Sequence, residues 1–565
     1  MRSKPTLAII GFRYPIALTV LLLAGLLLAG RMVQLHIADR NFLQEQGDAR
    51  SVREDSIPGY RGMITDRKGE PLAVSTPVTT IWMNPKHFQA TEVQLKALAK
   101  YLQISLPSLQ KKLKQSEGKG FVYLKRHMIP LEADQILALD IPGVYAKPEY
   151  KRYYPVHEMA AHLVGFTNID DKGQEGFELA FDEALTGTSG SKTVLKDRRG
   201  HVFRDLNIVE PAQPGRNLTL TIDLTLQFMA YRELKAAVEQ HGAASGAVVL
   251  LDAKSGDVLA MVSQPSFNPN DRSKLDVAAL RNRALIDLFE PGSTIKPLTV
   301  AAGLASGNYK VTDEIDTTPG YLRLGGQSIR DHRNYGVLDL THIITKSSNV
   351  GVAKMALSMP EDTVSSFLQR VGLGQSTGTG FPGEGVGSLV APLSGQKAKI
   401  ATMAYGYGIA VNALQLAQAY QVLANQGVKK YVRLMKGIDM PADEVILPAH
   451  LAKAVVKMME TVTQTGGTGT RAAIHGYHVA GKTGTVHKVG STGYGSEYMA
   501  IFAGMAPASD PKVVAVIWID SPSGQEYYGG EVAAPIFSRV VGNALRYLNV
   551  APDNIDTVKQ VAGAK

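Results

Sequence analysis

EPGSTIKPLTVAAGLASGN, residues 290–308, is the stretch from which the rest of the chain can be read. Pro291 and Gly292 break what precedes them, and Ile295, Leu298, Ala301, Ala302 and Leu304 give one apolar face to a new helix. Ser293 then stands at the first turn, where backbone N–H groups are unpaired and the helix dipole favours developing negative charge. Lys296 follows three residues on and shares that face, about 5–6 Å away between Cβ atoms. A serine hydroxyl is a poor nucleophile until a base takes its proton. Lysine serves if its pKa falls from about 10.4 toward neutrality, a change worth about 4 kcal/mol. Burial and a second nearby cation are the means of achieving it. Alone the pair says little, because serine caps helices and lysine covers exposed faces in most proteins.

Two further fragments change the reading. Ser347-Ser348-Asn349 interrupts the helical runs LTHIITK and VGVAKMAL, which places a hydroxyl and an amide where a cleft is expected. Lys482-Thr483-Gly484-Thr485 follows an apolar pair and precedes a polar loop and the strand MAIFAGMAP. A sheet-edge strand with a lysine, two hydroxyls and a glycine suits a peptide carboxylate, with Gly484 letting the peptide's backbone lie alongside.

Around these fragments the texture is that of a helix-covered sheet. GAVVLLD (246–252) and DVLAMVSQP (257–265) form a hairpin across Lys254-Ser255-Gly256, VVAVIWID adds another strand, and AAPIFSRVVGNALRYL closes with a helix. NLTLTIDLTLQFMAYREL is a strand running into an amphipathic helix, with Pro211, Pro214 and Gly215 marking a boundary before it. Strands in groups with helices between them predict a mainly antiparallel sheet, an α+β arrangement within the α/β class. Upstream, RGMITDRKGEPLAVS (61–75) predicts a hairpin at Asp66–Gly69, and 91–115 a helix. Residues 38–60 read as a polar stalk, 374–387 as a glycine-rich surface loop, and the last fifteen as a polar, disordered tail.

The 565 residues carry 60 Lys+Arg against 51 Asp+Glu, a net charge of +9, with 45% hydrophobic and 20% charged residues. That composition excludes a disordered, collagen-like or polytopic membrane protein, and so small a basic excess does not point to nucleic acid. The absence of cysteine excludes a disulfide scaffold, a thiolate metal site and a cysteine nucleophile. From Tyr14 to Gly30 run 17 uncharged residues bracketed by Arg13 and Arg31, with apolar character continuing to Ile37. A span needs about 17–25 residues, and Arg31 can snorkel to the interface. Arg2, Lys4 and Arg13 precede it without an acid, which puts the N-terminus in the cytoplasm and the remainder across the inner membrane, in the periplasm. Leu28 stands where a cleavable signal would carry a small residue, so the segment reads as an uncleaved anchor.

Some patterns mislead. Gly476–Thr483 matches a phosphate-binding loop letter for letter, but the glycine- and serine-rich stretch after it does not open a helix. His157, Glu158 and His162 imitate a zinc-protease motif with the histidines five apart, off a common helix face. His332 in SIRDHRNYG reads as a polar loop residue near the cleft.

S-x-x-K, S-x-N and K-T-G in this order resemble the signature of the penicillin-binding protein and serine β-lactamase superfamily. RGMITDRKGEPLA (61–73), RYYPVHEMAAHLVG (152–165) and GQEGFELAFDEALTG (173–187) are similar to the motifs of the class B non-catalytic domain, most like those of the division transpeptidases. One departure follows the last motif, where Val486-His487 stands in place of an Ala-Arg pair. The resemblance implies a cytoplasmic tail at 1–13, an anchor at 14–37, an elongated dimerisation-type pedestal at 38–212, a transpeptidase domain at 213–550 and a tail at 551–565. It implies a peptidoglycan D,D-transpeptidase that cross-links stem peptides and is acylated by β-lactams, with no cofactor and no metal. Ser293 is then the nucleophile, Lys296 its base, Ser347 a proton relay, and Asn349 the group orienting Lys296 and the substrate amide. Lys482, Thr483, Gly484 and Thr485 bind the terminal carboxylate, with backbone N–H groups of Ser293 and Thr485 as oxyanion hole. Tyr407, with Tyr405 in the YGYG run, is a candidate cleft-lining residue, core packing being the other reading. The expected partners are a membrane glycan polymerase of the FtsW type and other division proteins, and no nucleic acid. A β-lactamase needs a glutamate to activate water; Glu361, Glu384, Glu444 and Glu460 all lack an E-x-x-L-N context. A scaffold with vestigial activity is the remaining alternative.

Overall fold

The computed structural model describes residues 8–196, 202–490 and 493–554. The chain forms two compact units that alternate along it: Met1–Tyr60, Pro77–Tyr150 and Gly187–Pro214 in one, and Arg61–Thr76, Lys151–Thr186 and Gly215–Lys565 in the other.

The first unit begins with the helix Ala8–Val33, which continues as a π turn over Gln34–Ala38. Its exposed apolar side chains and length of 26 residues fit a single-pass membrane anchor. The polar stalk expected over 38–60 is instead ordered as a helix, Arg40–Ser51, and a strand, Val52–Ile57, paired with Gly190–Lys196. The single helix expected at 91–115 is two, Glu92–Leu102 and Leu106–Lys114. Gln103 turns left-handed at φ 59°, and Ser105 caps a new start with Pro107 in its first turn. These helices and the pairing of Thr79–Met83 with Val122–Met128 enclose a small core around Ile81, Leu98 and Ile136.

The second unit contains the elements that position the site. Helix α1 is Leu224–Gln240, strand β1 Ser245–Asp252 and strand β2 Val258–Gln264. Helices α2 (Lys296–Ala305), α3 (Asn349–Leu357), α4 (Ala413–Ala424) and α5 (Ala449–Glu460) follow. Strands β3 (Ala480–Gly490), β4 (Gly493–Ala506) and β5 (Val513–Asp520) and helix α6 (Gly529–Tyr547) complete it. The five strands form one antiparallel sheet in the order β2-β1-β5-β4-β3, as the hairpin signals predict. Alternate residues serve opposite faces: Val249, Leu251, Val516 and Trp518 join the core under α2, α4 and α5, whereas Val248, Leu250, Ile517 and Ile519 pack beneath α1 and α6. Covered on both faces, these strands read as continuous apolar runs.

The polar loop expected after Lys482–Thr485 is strand: β3 runs on to Gly490, and His487 pairs with Tyr498 of β4. No helix follows Gly476–Thr483, so the phosphate-loop pattern has no structural context here. Helix α2 is buried on all sides rather than on one face, Lys296 through Leu304 being enclosed. Residues 374–387 form no helix or strand. Of the tail beyond 550, residues 555–565 lie outside the described residues.

The three upstream motifs meet in this unit. Arg61 Nε contacts Glu178 Oε2 at 2.5 Å, and Arg152 Nε contacts Glu178 Oε1 at 2.6 Å, with all three side chains at most 1% exposed. Arg61 also reaches Asp182 at 2.7 Å and donates to the Glu178 carbonyl at 2.7 Å. Charged residues from all three motifs therefore join a single ion cluster, which explains why motifs far apart in sequence carry these residue types.

Candidate active site

The turn Gly292–Ile295 is 3-10 and leads without a break into α2, with Pro297 in the first helical turn. Gly292 has φ +53°, and its N–H donates to the Gly406 carbonyl at 3.1 Å. A Cβ on Gly406 would lie 2.1 Å from the Gly292 oxygen, so YGYG carries its glycine where two backbones touch. Thr294 Oγ1 donates to the Pro291 carbonyl and Tyr420 Oη to the Thr294 carbonyl, each at 2.7 Å. Pinned in this way, the turn presents Ser293 to a cavity of about 720 Å³.

Beneath it Lys296 is fully buried, and its Nζ donates to the Ser347 carbonyl at 2.5 Å and to Ser347 Oγ at 2.9 Å. Ser347 sits at φ +57°, a left-handed conformation disfavoured for serine and held by what surrounds it. The support is Asp331, which belongs to no sequence motif. Its carboxylate accepts from Ser348 Oγ and from the Asn349 N–H, both at 2.6 Å, and from the Val350 N–H at 3.0 Å. Ser348 Oγ in turn accepts from the Gly351 N–H at 2.8 Å and caps α3. Asn349, expected to orient Lys296, instead donates its Nδ2 to the Arg330 carbonyl at 2.9 Å.

β3 forms the opposite wall as the edge strand of the sheet. Lys482 is fully buried, its Nζ 3.1 Å from the Thr483 carbonyl and 3.4 Å from Thr483 Oγ1. Thr483 and Thr468 hydroxyls meet at 2.8 Å, and Thr485 Oγ1 accepts from the Gly529 N–H at the start of α6 at 3.0 Å. A Cβ on Gly484 would stand 3.1 Å from Thr294 Cγ2 and 3.2 Å from the Pro291 oxygen, so glycine allows this strand its close approach to the turn that carries Ser293.

Burial pushes the Lys482 amine down to about 7. Burial, and then the charge of Lys482, hold Lys296 well below the ordinary lysine range, against the opposing pull of Asp331. Lys296 is therefore a lysine whose charged form burial disfavours, three residues on from a serine that lines the cavity. That is the condition for a general base.

Ser293, Ser347, Asn349, Tyr407, Thr483 and Thr485 all line this one cavity, with Lys296 and Lys482 enclosed at its base. His332 and His487 line it as well, the His487 ring lying 4.3 Å from that of Tyr498. Tyr405 stands beside Tyr407, with ring centroids 5.5 Å apart, and faces a neighbouring groove. Thr468, Arg471, Tyr527 and Tyr528 complete the walls from loops that carry no sequence signature. Among the described residues no group of three or more His, Asp or Glu side chains is placed to hold a metal.

Residues 246–542 match the penicillin binding protein transpeptidase domain, and residues 56–220 the penicillin-binding protein dimerisation domain. The chain is 42% identical over 98% of both chains to a probable peptidoglycan D,D-transpeptidase, PbpC, of Pseudomonas aeruginosa. It is 41% identical to the peptidoglycan D,D-transpeptidase FtsI of Escherichia coli, covering 97% of this chain and 94% of that one. The crystal structure of penicillin binding protein 3 from Mycobacterium tuberculosis, complexed with aztreonam, superposes with a TM-score of 0.68 at 27% identity over 88% of this chain and 98% of that one. A turn that presents a serine to a cavity, a buried lysine one turn on, an edge strand bearing K-T-G-T and a matching N-terminal domain agree with these likenesses: the chain belongs to the class B penicillin-binding proteins.

Proposed function

We propose that Ser293 carries out both half-reactions of a serine-type peptidoglycan D,D-transpeptidase. In the first, Ser293 Oγ attacks the carbonyl between two D-alanines of a stem peptide as its proton passes to Lys296 Nζ. The carbon–nitrogen bond breaks, Ser347 relays a proton to the leaving amine, and free D-alanine departs from the acyl-enzyme. In the second, an amine of a neighbouring stem attacks the ester and closes a cross-link. Lys482, Thr483 and Thr485 hold the donor's terminal carboxylate, Gly484 gives the peptide room, and Tyr407 walls the cleft. The N–H groups of Ser293 and Thr485 serve the developing oxyanion, the kind of contribution that is often the largest. Asn349 contacts the substrate amide and, through Arg330, stays anchored beside Ser347.

The observation that carries this reading is the buried Lys296, bonded to the two oxygens of Ser347 and held well below the ordinary lysine range, one helical turn from Ser293. A β-lactam presents a strained version of the same amide, and the mycobacterial relative's complex with aztreonam supports β-lactam binding at this site. Likeness to FtsI supports a septal role, in which a membrane polymerase of the FtsW type makes the glycan that this enzyme cross-links. Arg2, Lys4 and Arg13 support a cytoplasmic N-terminus, with the catalytic unit in the periplasm and the anchor in the inner membrane. The five-part division of the chain at residues 13, 37, 212 and 550 is proposed on the same likeness.

The test uses the detergent-solubilised full chain, a donor stem ending in D-alanyl-D-alanine, and an amine acceptor. D-Alanine release and an amide product are expected, both falling at least about 1,000-fold in Ser293→Ala and Lys296→Ala. Release that survives Ser293→Ala would overturn the assignment. Depletion in cells is expected to give filaments; round cells would move the role to elongation.

A further inference from the structure

The second half-reaction needs a place for the attacking amine, and the donor-binding strand does not supply one. With the donor carboxylate at Lys482, Thr483 and Thr485, the β3 side of Ser293 is occupied. The opposite side opens into a groove of about 480 Å³ lined by Gln327, Ser328, Arg330 and Tyr405, and by Asn349 and Tyr407. Asn349 and Tyr407 also line the catalytic cavity, so the two spaces meet at these side chains.

Among the described residues, Gln327–Arg330 pairs only with Tyr321–Leu324, in a two-stranded hairpin. One edge of that strand faces away from its partner and can take an extended peptide. Arg330 is exposed and supplies the only charge in the lining; its Nε donates to Ser328 Oγ at 3.3 Å. A planar guanidinium with free N–H groups selects carboxylates. The Arg330 carbonyl accepts from Asn349 Nδ2 at 2.9 Å, so the same residue that offers the cation also ties the groove to the catalytic cleft.

We propose that this groove is the acceptor site, taking a stem peptide that carries a nucleophilic amine and a free carboxylate, with Arg330 gripping the carboxylate. The proposal rests on the acyl-enzyme chemistry proposed above. The amine passes Asn349 and Tyr407 to reach the ester carbon. A carbon–nitrogen bond forms, the bond to Ser293 Oγ breaks, and the amine's proton returns to Ser293 through Lys296 and Ser347.

The experiment uses the full chain with a D-alanyl thioester donor, whose thiol release reports acylation. D-Alanine or D-alaninamide is the acceptor, and the split of product between acid and amide reports its capture. D-Alanine is expected to half-saturate about tenfold lower than D-alaninamide in the wild type. Arg330→Glu is expected to raise that concentration at least about tenfold and erase the preference, with Arg330→Lys restoring part of it. Gln327→Glu, at a second position in the groove, is expected to weaken D-alanine in the same direction. Equal use of the two acceptors by the wild type, or half-saturation within about twofold in both acidic variants, would overturn the proposal. So would a parallel loss of penicillin labelling in both variants, since the groove would then serve the donor. A wild type that releases no thiol overturns the acyl-enzyme reading itself, a result distinct from any of these.

Discussion

Lys482 costs the fold stability in order to serve the site. The unfolded chain keeps this amine protonated into the ordinary lysine range, whereas the folded chain sheds the proton above about pH 7. Between those limits the unfolded state binds more protons, so stability rises with pH; below pH 7 the burial cost is fully present. Lys482→Met is therefore expected to raise stability by roughly 1–3 kcal/mol at pH 6 and by less at pH 9, measured by denaturant unfolding. The same change removes a like charge from beside Lys296 and lets that pKa climb. Acylation by penicillin in the variant is expected to be weaker and to need a more alkaline pH. An unchanged acylation midpoint would mean that the two amines do not sense each other. The residues of this site were legible as types at spacings, but Asp331 was not. Its role is to accept three hydrogen bonds from Ser348, Asn349 and Val350, 17 to 19 positions away, and no local pattern encodes a cap supplied from that distance.

At the level of elements, the site depends on how closely three pieces of backbone approach. Gly406 has φ +87°, and a Cβ there would meet the oxygen, nitrogen and carbon of Gly292 at 2.1–2.7 Å. Gly406→Ala is expected to destabilise by about 2–4 kcal/mol and to slow acylation more than tenfold by displacing the nucleophile turn. Normal acylation in a folded variant would show that the turn is not held from this side. Asp331→Asn keeps the shape but removes a charge from the N-terminus of α3; a loss of about 1–2 kcal/mol is expected, with slower acylation as Ser347 loosens. The sheet itself could be read from its apolar runs and turns. The continuation of β3 past Thr485 could not, because His487, Lys488 and the glycine- and serine-rich residues after them break up the apolar run, and the strand is ordered by its pairing with β4, His487 opposite Tyr498. Periodicity likewise offered one apolar face for α2, yet Lys296 and Thr299 are enclosed too. Thr299 Oγ1 donates to the Ala404 carbonyl at 2.8 Å, a partner more than a hundred residues away.

For the whole molecule, alternation of the chain between two units gives the upstream motifs a structural task inside the catalytic unit. Glu178 neutralises Arg61 and Arg152 together, so Glu178→Gln leaves two buried cations short of charge and is expected to cost about 3–5 kcal/mol. Nearby, burial raises the Asp171 carboxyl to about 6, more than Arg61 and Arg152 offset, and its Oδ1 is buried without a partner. Between about pH 3.8 and 6 the folded state binds the extra proton, so stability falls as pH rises through that window. Asp171→Asn is therefore expected to raise the melting temperature at pH 7.5 and to leave it unchanged below pH 4; a loss at both would show that the carboxylate supports the cluster. The central claim concerns the chemistry at Ser293, and peptide mapping of the penicillin-treated full chain by mass spectrometry tests it most directly. One covalent adduct is expected, on the peptide carrying Ser293, and absent from Ser293→Ala. An adduct on any other residue, or equal labelling of Ser293→Ala, would contradict the account.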